Sequence, residues 1–127
     1  PEEIFPGVKE LIQSMREKGL KIALASSSKN APRVIELLKI ADMFDAMVDG
    51  TMITHTKPHP EIFLLAASMM GVTPSGCVVF EDAEAGVEAA LAGGMKCVGV
   101  GGNEQLGKAN LVIAKTGDFE LSMLGRW

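Results

Sequence analysis

The chain has 127 residues, of which 47% are hydrophobic and 22% are charged, and its formal net charge is −4. This length corresponds to one domain or part of one, and the composition is that of a globular protein. The acidic balance argues against a nucleic-acid-binding or basic membrane-binding surface, and no apolar run reaches the ~18 residues of a transmembrane helix. We therefore expect small-molecule chemistry, with no nucleic acid and no membrane as partner.

The two cysteines, Cys77 and Cys97, lie in apolar runs without a C-x-x-C partner. This usage predicts buried, reduced thiols and a cytoplasmic location rather than a disulfide-stabilised secreted protein. The chain begins with Pro1 rather than Met, which is consistent with a trimmed form of a longer protein.

The apolar periodicity alternates between helix and strand along the whole chain. Short apolar runs predict strands, and spacings of three and four predict helices, with Gly19 and Gly71 ending two of them. The predicted strands are 21–25, 46–48, 77–80, 97–100 and 111–113, and the predicted helices include the stripes 8–15, 34–41, 62–70 and 87–91 and a closing helix at 119–124. This alternation predicts an α/β fold, a Rossmann-like three-layer α/β/α sandwich with a parallel sheet whose ligands bind beyond the carboxyl ends of the strands.

The first polar segment at such a strand end follows residues 21–25 and opens a helix. It consists of Ser26, Ser27, Ser28, Lys29 and Asn30. Hydroxyls, a lysine and free helix N-terminal N–H groups are what a phosphate needs, so the segment is a candidate phosphate site. The alternative is that Ser28 or Asn30 only caps the helix that begins near Pro32.

The second segment follows the strand at 77–80 and contains Glu81 and Asp82. Adjacent carboxylates at a strand end need a positive partner, and Mg²⁺ binds carboxylate and phosphate oxygens together. The alternative is that Asp82 caps the following helix while Glu84 is exposed. Gly86 allows helix and sheet, or substrate and backbone, to approach closely.

The third segment places Lys57 between Thr56 and the prolines of 58–60, which predicts an extended loop just before a helix. Lys57 is either a solvated lysine or a fixed ammonium that neutralises phosphate charge. The neighbouring His55 and His59 form a weak metal motif because no third ligand is evident, and we expect both at the surface.

Together the three segments resemble the motifs of the haloacid dehalogenase-like superfamily of phosphotransferases. Ser26 at the end of its strand resembles the second motif, Lys57 in Lys-Pro-His-Pro the third, and Glu81–Asp82 with Gly86 the fourth. The resemblance runs from about Phe5 to the C-terminus and is strongest to the β-phosphoglucomutase and sugar-phosphate phosphatase group.

The resemblance implies Mg²⁺-dependent phosphoryl transfer on small phosphorylated metabolites through an aspartyl-phosphate intermediate. It implies that Ser26, the Ser27 amide and Lys57 hold the transferring phosphoryl group, with Ser26 and Lys57 as catalytic residues. The same resemblance implies that the other phosphate of a bisphosphate is held by Ser28, Lys29 and Asn30. It also implies that Mg²⁺ is bound by Glu81 and Asp82.

The family's first motif, Asp-x-Asp-Gly-Thr/Val, which carries the nucleophile, is absent. Residues 47–51 imitate it, but Met47 stands at the nucleophile position and a thioether cannot attack phosphorus. The helical cap that usually follows the motif is absent too. In the family the nucleophile strand lies between the strands that end at Ser26 and at Glu81–Asp82.

We therefore expect residues 1–127 to be the C-terminal part of such a core domain, without an internal boundary and inactive alone. A missing N-terminal segment or another chain would complete the sheet.

Three other functions stay open. Ala83 stands where mutases often carry Ser and phosphatases commonly carry Ala, so a sugar-phosphate or nucleotide monophosphatase is an alternative. An inactive phosphate-binding remnant is the non-enzyme alternative. A nucleotide-binding module is disfavoured because no G-x-G-x-x-G follows the first strand.

Overall fold

The structure is a computed structural model that describes residues 8–26, 41–101 and 107–113. The helices are α1 (Val8–Glu17), α2 (Glu61–Met70) and α3 (Glu84–Ala92), and the strands are β1 (Ala23–Ser26), β2 (Ala46–Asp49), β3 (Val78–Glu81), β4 (Lys96–Val100) and β5 (Leu111–Ile113). Short 3-10 turns occupy Ala41–Met43, Gly50–Met52 and Pro74–Gly76. Among these described helices, none has the length and apolar character needed to cross a bilayer.

The strands form two parallel groups. β1 pairs with β2 so that Ser26 lies opposite Asp49, and β3, β4 and β5 pair in that order. Within the described ranges β1 and β3 are not paired with each other. This is the arrangement expected if a further strand lies between them.

The predicted helix ends are confirmed at two glycines. Gly19 follows α1 with a φ of 80°, and Gly71 follows α2 with a φ of 70°. Both values lie in the left-handed region that glycine adopts without a side-chain clash, so each glycine ends its helix. The N–H of Val72 then bonds to the carbonyl of Ala67 at 3.1 Å, which closes the end of α2.

Helices cover both faces of the strands. Cys97 and Val98 are successive β4 residues with no exposed surface, so their side chains point to opposite faces. Cys97 lies in the cluster that α2 and α3 bury, whereas Val98 packs with Leu11 and Met15 of α1. The larger cluster consists of Val48, Ile62, Phe63, Ala66, Ala67, Val87, Ala89, Ala90, Met95 and Cys97. The predicted three-layer α/β/α fold is therefore confirmed.

Two strand boundaries differ from the predicted ones in a way that matters for function. β1 and β3 begin later than predicted, and their last residues are Ser26 and Glu81. Both candidate site residues therefore belong to strands rather than to the loops that follow. Lys21, predicted to begin the first strand, lies outside it and its ammonium donates to the Met70 carbonyl at 2.9 Å. The predicted helices at 34–41 and 119–124 lie wholly or almost wholly outside the described residues.

Ile62 and Leu64 provide a matched test of the core, because both lie on α2 and only the first is fully buried. Ile62 has no exposed surface, whereas Leu64 is 38% exposed. We expect Ile62→Ala to lower the free energy of unfolding by about 2–5 kcal/mol through lost burial and a cavity. Leu64→Ala should cost less than about 1 kcal/mol. Chemical denaturation measures both, and equal losses would contradict the packing described above.

Candidate active site

An ion pair joins two of the three sequence segments. The Lys57 ammonium lies 2.8 Å from Oε2 of Glu81, and the two side chains are only 19% and 10% exposed. Lys57 belongs to the loop between β2 and α2, whereas Glu81 is the last residue of β3. The ammonium also lies 5.2 Å from the centre of the Phe63 ring, a favourable cation–π distance. Lys57 is thus a fixed, half-buried ammonium, and the alternative of a solvated lysine is wrong.

The loop that carries Lys57 is a turn, and the prediction of an extended segment is wrong. The Lys57–Pro58 peptide bond is cis, and the His59 N–H donates to the Thr56 carbonyl at 3.0 Å. Proline removes a backbone donor and fixes φ, so its presence in the sequence was compatible with either shape. Pro60 then occupies the N-cap position of α2, as expected for the residue that starts this helix.

Glu61, which the sequence analysis did not single out, holds the arm of the loop that precedes Lys57. Its Oε2 accepts the Thr54 N–H at 2.7 Å, and its Oε1 accepts the His55 N–H at 3.0 Å. These hydrogen bonds lower the pKa of Glu61, and the bond from the Thr54 N–H has the largest effect. An acidic residue in the first turn of a helix is common for electrostatic reasons alone, so the sequence held no separate signal for this role.

The Glu81 carboxylate turns back over the start of α3. Its Oε1 accepts the N–H groups of Asp82 and Ala83 at 3.1 and 3.2 Å. A Cβ at Gly86 would lie 2.0 Å from Cδ of Glu81, so only glycine leaves room for this conformation. The close approach that Gly86 permits is therefore that of the Glu81 side chain to α3.

Asp82 lies exposed just beyond the end of β3. It is not the cap of α3, as one interpretation of the sequence had it. Ala83 occupies the N-cap position without a side-chain hydrogen bond, while Glu81 accepts the nearby N–H groups. Within the part of the chain that the structure describes, the Asp82 carboxylate has no hydrogen bond or ion pair.

The donor set at the end of β3 fits a hard cation such as Mg²⁺. An ionised carboxylate offers about four lone-pair sites, so Glu81 keeps a free position on Oε2 after its three hydrogen bonds. The Asp82 oxygens are open to solvent. Glu81 beside the Lys57 ammonium, with Asp82 next in the chain, can hold an Mg²⁺–phosphate unit. In such a unit the carboxylates bind the metal, and Mg²⁺ and Lys57 neutralise the phosphate.

Ser26 is placed by the backbone of β1. It lies opposite Asp49 in the parallel register, so β1 and β2 end at one edge, and the loop with Lys57 leaves from that edge. The predicted phosphate ligands Ser27, Ser28, Lys29 and Asn30 lie outside the described residues. Lys57 and Glu81 are thus in direct contact, whereas Ser26 lies at the end of the strand that pairs with β2, from which the Lys57 loop leaves.

Asp49 has a local role that explains the misleading motif at 47–51. Its carboxylate accepts the N–H of Thr51 at 2.8 Å and also the Thr51 hydroxyl, and it caps the 3-10 turn Gly50–Met52. The hydroxyl, and then the N–H, lower the pKa of Asp49. The Asp-Gly-Thr sequence here forms a turn after β2, which agrees with rejecting it as a nucleophile motif.

Comparison with known families identifies the class of protein. The haloacid dehalogenase-like hydrolase family model matches residues 1–94, and the chain belongs to that family. Its relatives include a β-phosphoglucomutase, a hexitol phosphatase and a fructose-1-phosphate phosphatase.

Three relatives show how far the similarity extends. β-Phosphoglucomutase of Bacillus subtilis is 44% identical over 124 residues, which cover 98% of this chain and 55% of that protein. Hexitol phosphatase B of Escherichia coli is 33% identical over 123 residues, 95% of this chain and 54% of that protein. A crystal structure of β-phosphoglucomutase from Clostridium difficile superposes with a TM-score of 0.87 at 41% identity, covering 97% of this chain and 55% of that one. The chain therefore spans about half the length of these relatives.

Gly86→Ala tests the contact between Glu81 and α3. Alanine is the better helix former by roughly 1 kcal/mol, so a gain would be expected if space were free. Because the new Cβ would overlap Glu81, we expect instead a net loss of about 1–3 kcal/mol in the free energy of unfolding. Gly76→Ala is the control, since a Cβ there meets only Thr73 Oγ1, at 3.6 Å. A stabilised Gly86→Ala variant would show that Glu81 does not occupy this position.

Cys97 gives a test of the buried surroundings of Glu81. Burial first, and the charge of Glu81 second, raise the pKa of Cys97 from its ordinary value of 9.0 to about 12. Because the pKa is higher in the folded state, the protonated thiol stabilises the fold. This stabilisation is complete below the pKa of the thiol in the unfolded chain and is lost as pH rises through about 12. We expect iodoacetamide at about pH 9 to leave Cys97 unmodified in the folded chain and to modify it in urea. Mass spectrometry measures this, and equal rates in both states would contradict the burial.

Proposed function

We propose that this chain is the phosphate- and metal-binding part of an enzyme that transfers phosphoryl groups on small phosphorylated sugars. The Lys57–Glu81 ion pair carries the proposal, because it joins an ammonium to an acid 24 positions away. The exposed Asp82 follows Glu81 directly in the chain. Family membership and the names of the relatives, a phosphoglucomutase and a hexitol phosphatase, support the same class of substrate.

The role of Lys57 follows from its charge and contacts, and those of residues 26–30 are the ones that the family resemblance implies. We expect the Lys57 ammonium, held by Glu81 and Phe63, to neutralise the oxygens of a transferring phosphoryl group. The resemblance implies that Ser26 and the Ser27 amide hold the same group. A fixed cation needs little reorganisation as charge develops, so its effect is greater than that of a mobile lysine. In a bisphosphate, we assign the second phosphate to Ser28, Lys29 and Asn30.

Glu81 and Asp82 are the residues that we propose to hold Mg²⁺. When bound, Mg²⁺ supplies positive charge and a fixed orientation to the phosphate oxygens. Asp82 offers the more accessible oxygens. Glu81 links the acidic pair to Lys57, so the spacing between the metal ligands and the ammonium is set by one carboxylate and by its contact with Gly86.

The nucleophile comes from outside the 127 residues in this proposal. An aspartate on a strand between β1 and β3 would attack phosphorus in line, break the bond from phosphorus to the sugar oxygen and form an aspartyl phosphate. Water or a sugar hydroxyl would then take the phosphoryl group and free the aspartate. The unpaired relation of β1 to β3 supports such a position. Residues 1–127 would then form the C-terminal part of one core domain that an N-terminal segment or another chain completes. The reduced thiols of Cys77 and Cys97 favour a cytoplasmic location.

A phosphatase is the second candidate, and Ala83 favours it. By the resemblance, the residue after the acidic pair is often Ser in mutases and commonly Ala in phosphatases, and this chain has Ala83. A β-phosphoglucomutase interconverts β-glucose 1-phosphate and glucose 6-phosphate, whereas a phosphatase releases inorganic phosphate. Assaying both reactions on the enzyme expressed from its whole coding region distinguishes the two.

Asp82→Asn and Lys57→Ala, made in the protein expressed from its whole coding region, test the proposed roles. We expect kcat to fall by roughly 10²–10³-fold in each variant, because each removes a fixed charge at the phosphoryl group or its metal. Glu88→Gln and Lys108→Ala are controls, since this exposed pair at 3.3 Å lies outside the site, and both should keep activity. Thermal unfolding confirms that the variants fold.

The isolated 127-residue chain is expected to show no turnover with either substrate. If the isolated chain shows turnover and Asp82→Asn abolishes it, the proposal that the nucleophile lies outside these residues is wrong. Full activity of the longer Asp82→Asn enzyme would overturn the metal role. A coding region that truly begins near Pro1, or that lacks an Asp-x-Asp-Gly sequence upstream, would instead favour an inactive phosphate-binding remnant.

A further inference from the structure

A cluster of three potential metal ligands lies on the Lys57 loop, on side chains that the proposed function does not use for chemistry. One ligand atom each from His55, His59 and Glu61 lie within 4.8 Å of one another. We propose that these residues form a binding site for a divalent transition metal of the Zn²⁺ type, distinct from the acidic Mg²⁺ site at Glu81 and Asp82.

The hydrogen bonds of the cluster show how the ligands are arranged. His55 Nδ1 lies 3.0 Å from Glu61 Oε1, and His59 Nδ1 accepts the Glu61 N–H at 3.1 Å. The two imidazole rings stack with centroids 4.6 Å apart and planes 21° apart. No third ligand near the histidines was evident from the sequence, and that expectation was wrong, because the turn at 56–59 brings both of them against Glu61.

The separations suit a small cation with short bonds. Zn²⁺ binds imidazole nitrogen and carboxylate oxygen at about 2.0–2.2 Å, which places tetrahedral ligands roughly 3.3 Å apart. His55 Nδ1 and Glu61 Oε1 are already 3.0 Å apart. A bound ion would take the place of the hydrogen in this hydrogen bond, and that hydrogen would move to His55 Nε2 or to solvent. Both histidines are exposed, so the imidazole of His59 can turn; to bind the ion, its Nδ1 gives up the hydrogen bond from the Glu61 N–H.

The carboxylate is held in place before any ion binds. Glu61 Oε2 accepts the Thr54 N–H at 2.7 Å, which leaves Oε1 directed at His55. A carboxylate fixed by a backbone donor loses little freedom when it becomes a ligand. Three protein ligands leave the fourth position of a tetrahedron for water.

The donor types select against the proposed Mg²⁺ cofactor. Imidazole nitrogen favours Zn²⁺, Ni²⁺ and Cu²⁺, whereas Mg²⁺ prefers oxygen ligands and loses its water reluctantly. His55 and His59 stand two residues on either side of Lys57, whose own ammonium is turned to Glu81. A bound ion would therefore connect the two arms of the turn that presents Lys57.

Zn²⁺ titration of the purified protein expressed from its whole coding region, followed by competition with a chelating dye, tests the site. We expect one ion per chain with a dissociation constant of about 10 µM or tighter, and no displacement by millimolar Mg²⁺. His59→Gln and His55→Gln should each weaken binding at least ~10-fold. His59 is exposed, so its substitution leaves the fold intact and keeps the test valid if Glu61→Gln disturbs the loop.

Two controls separate this site from other ligands. Cys77→Ser removes the more accessible thiol and Glu88→Gln an exposed carboxylate elsewhere, and neither should change the affinity. His55 and His59 are the two histidines of residues 1–127, so the ring nitrogen signals that disappear from NMR spectra of His55→Gln and His59→Gln identify them. Zn²⁺ should shift both sets of signals at one equivalent. Unchanged affinity in His59→Gln, loss of binding in Cys77→Ser, or absence of stoichiometric binding would each overturn the proposal.

Discussion

The ion pair between Lys57 and Glu81 is the interaction on which the arrangement of the site depends. Two charges that are largely withdrawn from water are costly unless each is well partnered. Here Glu81 partners the ammonium, with the Phe63 ring beside it, and Lys57 and the N–H groups of Asp82 and Ala83 partner the carboxylate. The pair ties the loop that follows β2 to the end of β3, although β1–β2 and β3–β5 are separate groups of strands.

Short-range contacts support each partner of this pair. On one side Gly86 leaves the space into which the Glu81 side chain folds, so a glycine in a helix, ordinarily unfavourable, serves the carboxylate. On the other side Glu61 holds the backbone of Thr54 and His55, and through them the arm leading to Lys57. The same carboxylate faces two histidines, so a single residue both shapes the loop and forms part of the proposed transition-metal site.

The positions of the charged groups were predictable, but their contacts were not. Lys57 among prolines and Glu81–Asp82 after an apolar run both stand where a parallel sheet presents ligands. The prediction that Asp82 caps α3 was wrong. Helix-capping patterns consider the residue at the N-cap, and they do not show that the preceding Glu81 can reach the same N–H groups. The turn at Lys57 was wrongly expected to be extended, because proline fits both conformations. Glu61 carried no signal, since acids are common in any first helical turn.

By itself, the sequence determined the alternation of strands and helices, the helix ends at Gly19 and Gly71, and the order of the polar segments. These follow from periodicity and backbone preference, which act over a few residues and are therefore written locally in the chain. Only the tertiary structure decided that Lys57 meets Glu81 across 24 positions, and that Glu81 rather than Asp82 covers the start of α3. Such contacts depend on how strands and helices are packed in space, and no local pattern encodes that packing.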